Sequence, residues 1–121
     1  MAEQITLSPI GHVRSRGAQE PKEIEIEPGF AEALDGIDTQ EHLWILYWMH
    51  ELPPEERRRL KVHPQGNRSR PKQGVFSLHS PCRPNPIGMT RVRALGRTGT
   101  RLLVADLDAF EGSPVLDIKS G

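Results

Sequence analysis

The sequence has only one cysteine, Cys82, so no disulfide can form within the chain, and a reducing compartment fits. Nothing around it marks an activated thiolate, and Cys82 reads as packing rather than as a nucleophile. Aromatic residues number six, which leaves the core of a 121-residue chain to aliphatic and β-branched side chains. No apolar run approaches the roughly 18 residues of a membrane-spanning helix. Met1-Ala2-Glu3-Gln4 lacks the basic and apolar regions of a signal peptide, so a cytoplasmic location is expected, with no membrane partner. GxGxxG, GxxxxGKS/T and HExxH are also missing, which argues against a glycine-rich phosphate loop and against a zinc-binding helix. The length predicts a single domain over residues 1–121.

The charge is balanced in number and unbalanced in order. Residues 1–56 carry twelve acids against Arg14, Arg16 and Lys22. Residues 57–101 carry twelve bases, most of them arginine, and no acid. Folding could interleave these blocks and cancel the field. Alternatively, a segment without carboxylates suits a surface that tracks phosphates, because guanidinium forks bind phosphate oxygens in pairs.

Within that segment, Ser80-Pro81-Cys82-Arg83-Pro84-Asn85-Pro86-Ile87-Gly88 places three prolines and a glycine in nine positions. Neither a helix nor a central strand can hold that pattern, so a stiff loop is expected. It is either a structural turn or a pre-shaped binding element that presents Arg83 and Asn85.

Strand signals surround it. In residues 42–50, alternation sets His42, Trp44, Leu46, Trp48 and His50 against Leu43, Ile45, Tyr47 and Met49; both faces are largely apolar, which predicts a central strand covered on both sides. On such a strand His42 and His50 lie ~27 Å apart, too far to share an ion, and no metal site is expected. His50 ends the strand beside Glu51, placed to meet a ligand. Residues 5–13, 23–27, 74–79, 89–95 and 101–107 read as further strands, with a hairpin at Thr98-Gly99. Residues 28–34 and 53–60 read as short helical turns, the second with acids at its start and bases at its end. Short strands with one or two short helices, and no βαβ alternation, point to a mainly β small barrel or sandwich rather than a Rossmann domain. In residues 107–119, Gly112 and Pro114 read as a turn between two apolar strands, carrying Asp108, Phe110 and Glu111. That turn is either a hairpin with solvated acids or a site where carboxylates and backbone groups accept hydrogen bonds while Phe110 covers an apolar or cationic centre.

Ile10-Gly11-His12-Val13-Arg14-Ser15, Leu34-Asp35-Gly36-Ile37, the run from His42 to His50, Gly74-Val75-Phe76, Arg83-Pro84-Asn85-Pro86-Ile87-Gly88-Met89 and the segment from Leu107-Asp108 to Lys119 follow one another in a distinctive order. In these motifs the chain resembles the TsaA-like family, also called TrmO, whose characterised members are S-adenosylmethionine-dependent tRNA methyltransferases. The resemblance implies a small, mostly antiparallel β-barrel, a homodimer, and S-adenosyl-L-methionine as cofactor. It also implies methyl transfer to N6 of a threonylcarbamoyl-modified adenosine beside the anticodon of a tRNA, whose phosphates would lie on the basic segment 57–101. Carried over position by position, cofactor contacts fall to His50, Glu51, His79, Met89 and the turn Asp108-Ala109-Phe110-Glu111. Arg83 and Asn85 would order the loop or touch cofactor or substrate. His79 stands where many members carry arginine. The proton lost by the methylated amine could go to Asp108, Glu111 or His50. Two rival readings are a non-catalytic S-adenosylmethionine-binding sensor or subunit, and an RNA-binding barrel without cofactor.

Overall fold

Six strands close into an antiparallel barrel in the computed structural model, which describes residues 3–15, 17 and 21–121. The strands are β1 (Gly11–Arg14), β2 (Lys22–Ile26), β3 (His42–Trp48), β4 (Lys61–Val62), β5 (Gln73–Gly74), β6 (Ile87–Thr98), β7 (Arg101–Ala105) and β8 (Pro114–Ser120). Around the barrel they run β1-β2-β7-β6-β3-β8, while β4 and β5 form a separate two-stranded ribbon. Among the described residues every helical segment is 3-10; Pro28–Leu34 and Pro54–Arg58 occupy the two stretches where short helices were expected. The first stops at Asp35, ahead of Gly36 in the left-handed region at φ 86°.

Period-two alternation builds the interior. Ile24 and Ile26 on β2, Leu43, Ile45 and Tyr47 on β3, and Leu102 and Val104 on β7 all point inward and are buried. The outward residues of β3, from His42 to Trp48, are only half-buried. The expected two-sided cover of β3 is thus corrected: the closed barrel surrounds one face completely and leaves the other to loops. One such cover is Arg57, whose guanidinium lies 5.3 Å from the Trp48 ring.

Four further differences have local causes. The first strand begins at Gly11 rather than at residue 5, because β2 ends at Ile26 and the chain then turns at Pro28, leaving nothing for residues 3–9 to pair with; Ile5 is 81% exposed. The polar connection from Ser15 to Pro21 falls partly outside the described residues. Residues 74–79 are not a strand, since β5 pairs with β4 only through Gln73 and Gly74 before the 3-10 turn Val75–Ser77 buries Val75. The β6–β7 hairpin turns at Gly99-Thr100, with Thr98 paired to Arg101 and Gly99 at φ 60°. Finally, β7 and β8 are not paired to each other: β7 lies between β2 and β6, β8 between β1 and β3. Residues 106–113 therefore cross one end of the barrel instead of forming a hairpin tip.

The barrel closes on a short ladder. β1 and β8 share two registered pairs, Gly11 with Val115 and His12 with Pro114. Proline cannot donate there. Among the described residues no helix is long and apolar enough to cross a membrane.

Gly11 sits against β2 so closely that a Cβ would lie 2.3 Å from the Glu25 carbonyl oxygen, a backbone atom with little freedom to yield. Gly11→Ala should lower stability by about 1–3 kcal/mol. Gly96→Ala, with nothing within 4 Å of the added carbon, should cost well under half of that. Urea denaturation of both variants checks the contrast; equal losses would contradict this packing.

Candidate functional site

The crossover 106–113 is held from several sides. Leu107 and Ala109 insert into the core, whereas Asp108 and Phe110 face outward. Lys22 at the start of β2 donates from Nζ to the Ala109 carbonyl at 2.6 Å. The Gly112 N–H donates to Val13 O at 2.8 Å, and the Val13 N–H donates to Ser113 O at 3.0 Å. Ser113 is buried, its hydroxyl 3.4 Å from His50 Nδ1. The hydroxyl of Tyr47, at the end of β3, donates to the Asp108 carbonyl at 2.5 Å and lies 3.1 Å from Thr90 Oγ1. Burial raises the Tyr47 pKa above its ordinary 10.0, only partly offset by the Thr90 hydrogen bond, and the Asp108 charge pushes the same way.

The stiff loop is held as firmly. Arg83 Nη1 donates to the carbonyls of Leu78 and Ser80, at 3.1 and 2.8 Å, and so ties the loop to itself. Arg57 Nε donates to Pro84 O at 2.7 Å, and its Nη2 reaches Asn85 Oδ1 at 3.5 Å. The Met49 N–H donates to Pro86 O at 2.8 Å, which brings the loop onto the end of β3.

Between these two elements lies a cavity of about 840 Å³. The stiff loop lines it with Pro81, Arg83, Ile87 and Gly88, and the crossover with Asp108, Ala109, Phe110 and Ser113. Tyr47, Glu51, His79 and Met89 complete much of the wall, and Phe76 stands at it 80% exposed. Gly88 is required by Tyr47, since a Cβ would fall 2.4 Å from Cε2 of the ring.

Of the residues singled out in the sequence, Glu51, His79, Arg83, Met89, Asp108, Ala109 and Phe110 line this cavity together. His50, Asn85 and Glu111 stand outside its lining. His50 faces Ser113 and Asn85 faces Arg57. Glu111 accepts from the Ser15 N–H and pairs with Arg14 at 3.6 Å. Three contributors were not singled out in the sequence. A buried tyrosine hydroxyl needs a partner, and Tyr47 is the one tyrosine in the chain, so that signal was present. Lys22 and Ser113 give no comparable mark. Among the described residues no group of three or more His, Cys, Asp or Glu could hold a metal ion.

A closed antiparallel barrel whose end is roofed by a crossover and a proline-stiffened loop, with a ligand-sized cavity between them, defines a small β-barrel domain outside the Rossmann class. The sequence profile of the tRNA-methyltransferase O N-terminal domain matches residues 11–120, and the chain belongs to that family. A protein of Methanothermobacter thermautotrophicus named a probable S-adenosyl-L-methionine-binding protein is 41% identical, over 96% of this chain and 89% of its own length. A Pseudomonas aeruginosa protein named a putative S-adenosylmethionine-dependent methyltransferase, RcsF, is 37% identical over 94% of this chain and 55% of its own. The crystal structure of TrmO from Pseudomonas aeruginosa superposes with a TM-score of 0.76 at 29% identity, covering 98% of this chain and 56% of that one. The chain thus spans little more than half the length of that solved protein.

With one tyrosine in the sequence, ultraviolet phenolate absorbance reads Tyr47 alone. Its titration midpoint in the folded protein should lie above 10.0 and return to the ordinary value in denaturant. The raised value means that the Tyr47 contribution to stability is complete below pH 10 and is lost as pH rises through the folded-state midpoint. Tyr47→Phe should lower stability by about 1–3 kcal/mol at neutral pH by leaving the Asp108 carbonyl without its donor. It should also reduce the loss of stability in alkali. A folded-state midpoint at or below 10.0 would contradict the buried bond.

Proposed function

We propose that this chain binds S-adenosylmethionine in the cavity between the stiff loop and the crossover, and transfers its methyl group to N6 of a threonylcarbamoyl-modified adenosine beside the anticodon of a tRNA. One observation carries the reading: two elements far apart in sequence, each rigidly anchored, meet around one cavity that holds both apolar surface and charges of both signs. The wall fits the cofactor's chemistry. Asp108 and Glu51 offer carboxylates to cationic groups, Arg83 has donors for a carboxylate, and Met89 and Phe110 offer apolar surface. Bound there, the cofactor supplies an electrophilic methyl for an in-line displacement in which the carbon–sulfur electron pair stays with sulfur and the attacking nitrogen loses a proton.

The chain's own residues position and deprotonate. In this reading Asp108, the catalytic candidate at the cavity wall, takes the proton. Its backbone is already oriented by Tyr47, and that of Ala109 by Lys22. Glu111 serves by tying the crossover to Arg14, and Asn85 by tying the stiff loop to Arg57. His50, through Ser113, supports the roof next to the ligand, and His79 stands in the wall itself. The homodimer implied by the family resemblance belongs to the same reading and is checked by sedimentation velocity.

Calorimetry with S-adenosylmethionine should show one site per chain; no heat at millimolar cofactor would remove both the enzyme and the sensor readings. Transfer of labelled methyl to total tRNA then separates those two. The wild-type chain should label tRNA, and Asp108→Asn should lower the rate about a hundredfold or more. Cofactor binding with no labelled RNA, protein or small molecule would leave the sensor.

A further inference from the structure

Aromatic surface is scarce in this chain, yet Phe76 is left 80% exposed and Phe110 63% exposed, both lining the same cavity. The exposure of Phe76 is built in. Its neighbour Val75 is buried, and the turn is braced by Ser77 Oγ donating to Gly74 O at 2.7 Å and by Gln73 Nε2 donating to Ser77 Oγ at 3.0 Å. The ring is thus presented outward by a fixed turn at the edge of the site.

On the other side of the same segment lies a second groove, of about 790 Å³. Leu78, His79 and Pro81 line both spaces, so one stretch of chain is the wall between them. Arg59, Lys61, Arg68 and Lys72 line this groove and no carboxylate does. Only part of the basic segment is engaged by the fold, and Arg58, Arg70, Arg93 and Arg101 neither line the groove nor form an ion pair with a described residue. Arg57, Arg83, Arg91 and Arg97 are bound to carbonyls or acids of the fold, and Arg59 is paired with Glu56. Lys61, Arg68 and Lys72 make no ion pair with a described residue.

We propose that Phe76 and this groove form a binding site for single-stranded RNA, with one unpaired base stacked on the Phe76 ring and the adjoining phosphates laid along Lys61, Arg68 and Lys72. The inference rests on the function proposed above and names the surface that takes its acceptor. An exposed ring can take the face of an unpaired base, whereas duplex bases keep their faces stacked on one another. A concave, acid-free groove beside it matches the backbone that such a base carries. The shared wall puts that backbone next to the cavity in which the base would be modified.

Fluorescence anisotropy of the full chain with a labelled RNA stem-loop, across a salt series, tests this. Phe76→Ala should weaken binding about tenfold with little change in salt dependence, and Phe76→Trp should restore it. Lys61→Ala, Arg68→Ala and Lys72→Ala should each weaken binding and reduce the slope of log affinity against log salt by about 0.7 for each phosphate no longer neutralised. Lys119→Ala, at a cation paired with Asp117, should change neither. Unchanged RNA affinity in Phe76→Ala, or unaltered slopes in the three groove variants, would overturn the proposal. So would dissociation of a dimer by Phe76→Ala in sedimentation, which would make a second copy of the chain the occupant. The RNA titration is run without cofactor, so failure of S-adenosylmethionine binding would retire the methyl-donor function without touching this result.

Discussion

The hydrogen bond from the Tyr47 hydroxyl to the Asp108 carbonyl is the constraint on which the site depends. It joins the last inward position of β3 to the crossover that roofs the barrel, so the core and the cavity wall are one packed object. The tyrosine ring also dictates a residue elsewhere: its β6 partner in the ladder, Gly88, has no room for a side chain. Gly88 is in turn the last residue of the proline-stiffened stretch, so one aromatic side chain sets the positions of both elements that face each other across the cavity. Lys22 and the Gly112 and Ser113 backbone bonds add restraints from β2 and β1. Such redundancy keeps the wall near its working geometry before any ligand arrives.

Much of this was legible in the residues and some was not, for physical reasons. Alternation in β2 and β3 announces strands directly, and the absence of βαβ spacing rules out a Rossmann sheet. Coverage is another matter. The outward Trp44 and Trp48 look like core in the sequence, but the barrel leaves them half-buried, because an aromatic ring can lie along a surface under a loop or a guanidinium. The segment 106–113 reads locally as a hairpin turn, since its glycine and the proline after it are what such a turn would need. Only the pairing of β7 with β2, and of β8 with β1 and β3, set by residues dozens of positions away, makes it a crossover. The likeness to a known family, read from ordered motifs, is matched by the profile over residues 11–120.

The charge pattern shows how composition becomes structure. Twelve bases in a segment without an acid look in the sequence like one continuous surface. Folding sorts them into two trades. Several arginines, with their rigid forks, become struts: Arg83 across its own loop, Arg57 under Pro84, Arg91 against the carbonyl of Gly121. The lysines of the same segment, flexible point charges with no geometry to enforce, stay at the surface. A count of positive residues therefore overstates the field available to a polyanion; of the cations without an ion pair to a described residue, Lys61, Arg68 and Lys72 line the groove beside the stiff loop, and Arg58, Arg70, Arg93 and Arg101 lie outside it.

The brevity of the β1–β8 ladder has a consequence for the roof as well as for the barrel. With two registered pairs, one of them at a proline, this is the seam where the cylinder would unzip first. Val13, which exchanges backbone bonds with Gly112 and Ser113, sits on that seam. Parting it would slacken the crossover at the same moment. Whatever fills the cavity and presses on the crossover therefore also clasps the cylinder shut, so occupancy and barrel integrity are thermodynamically linked through one pair of peptide groups.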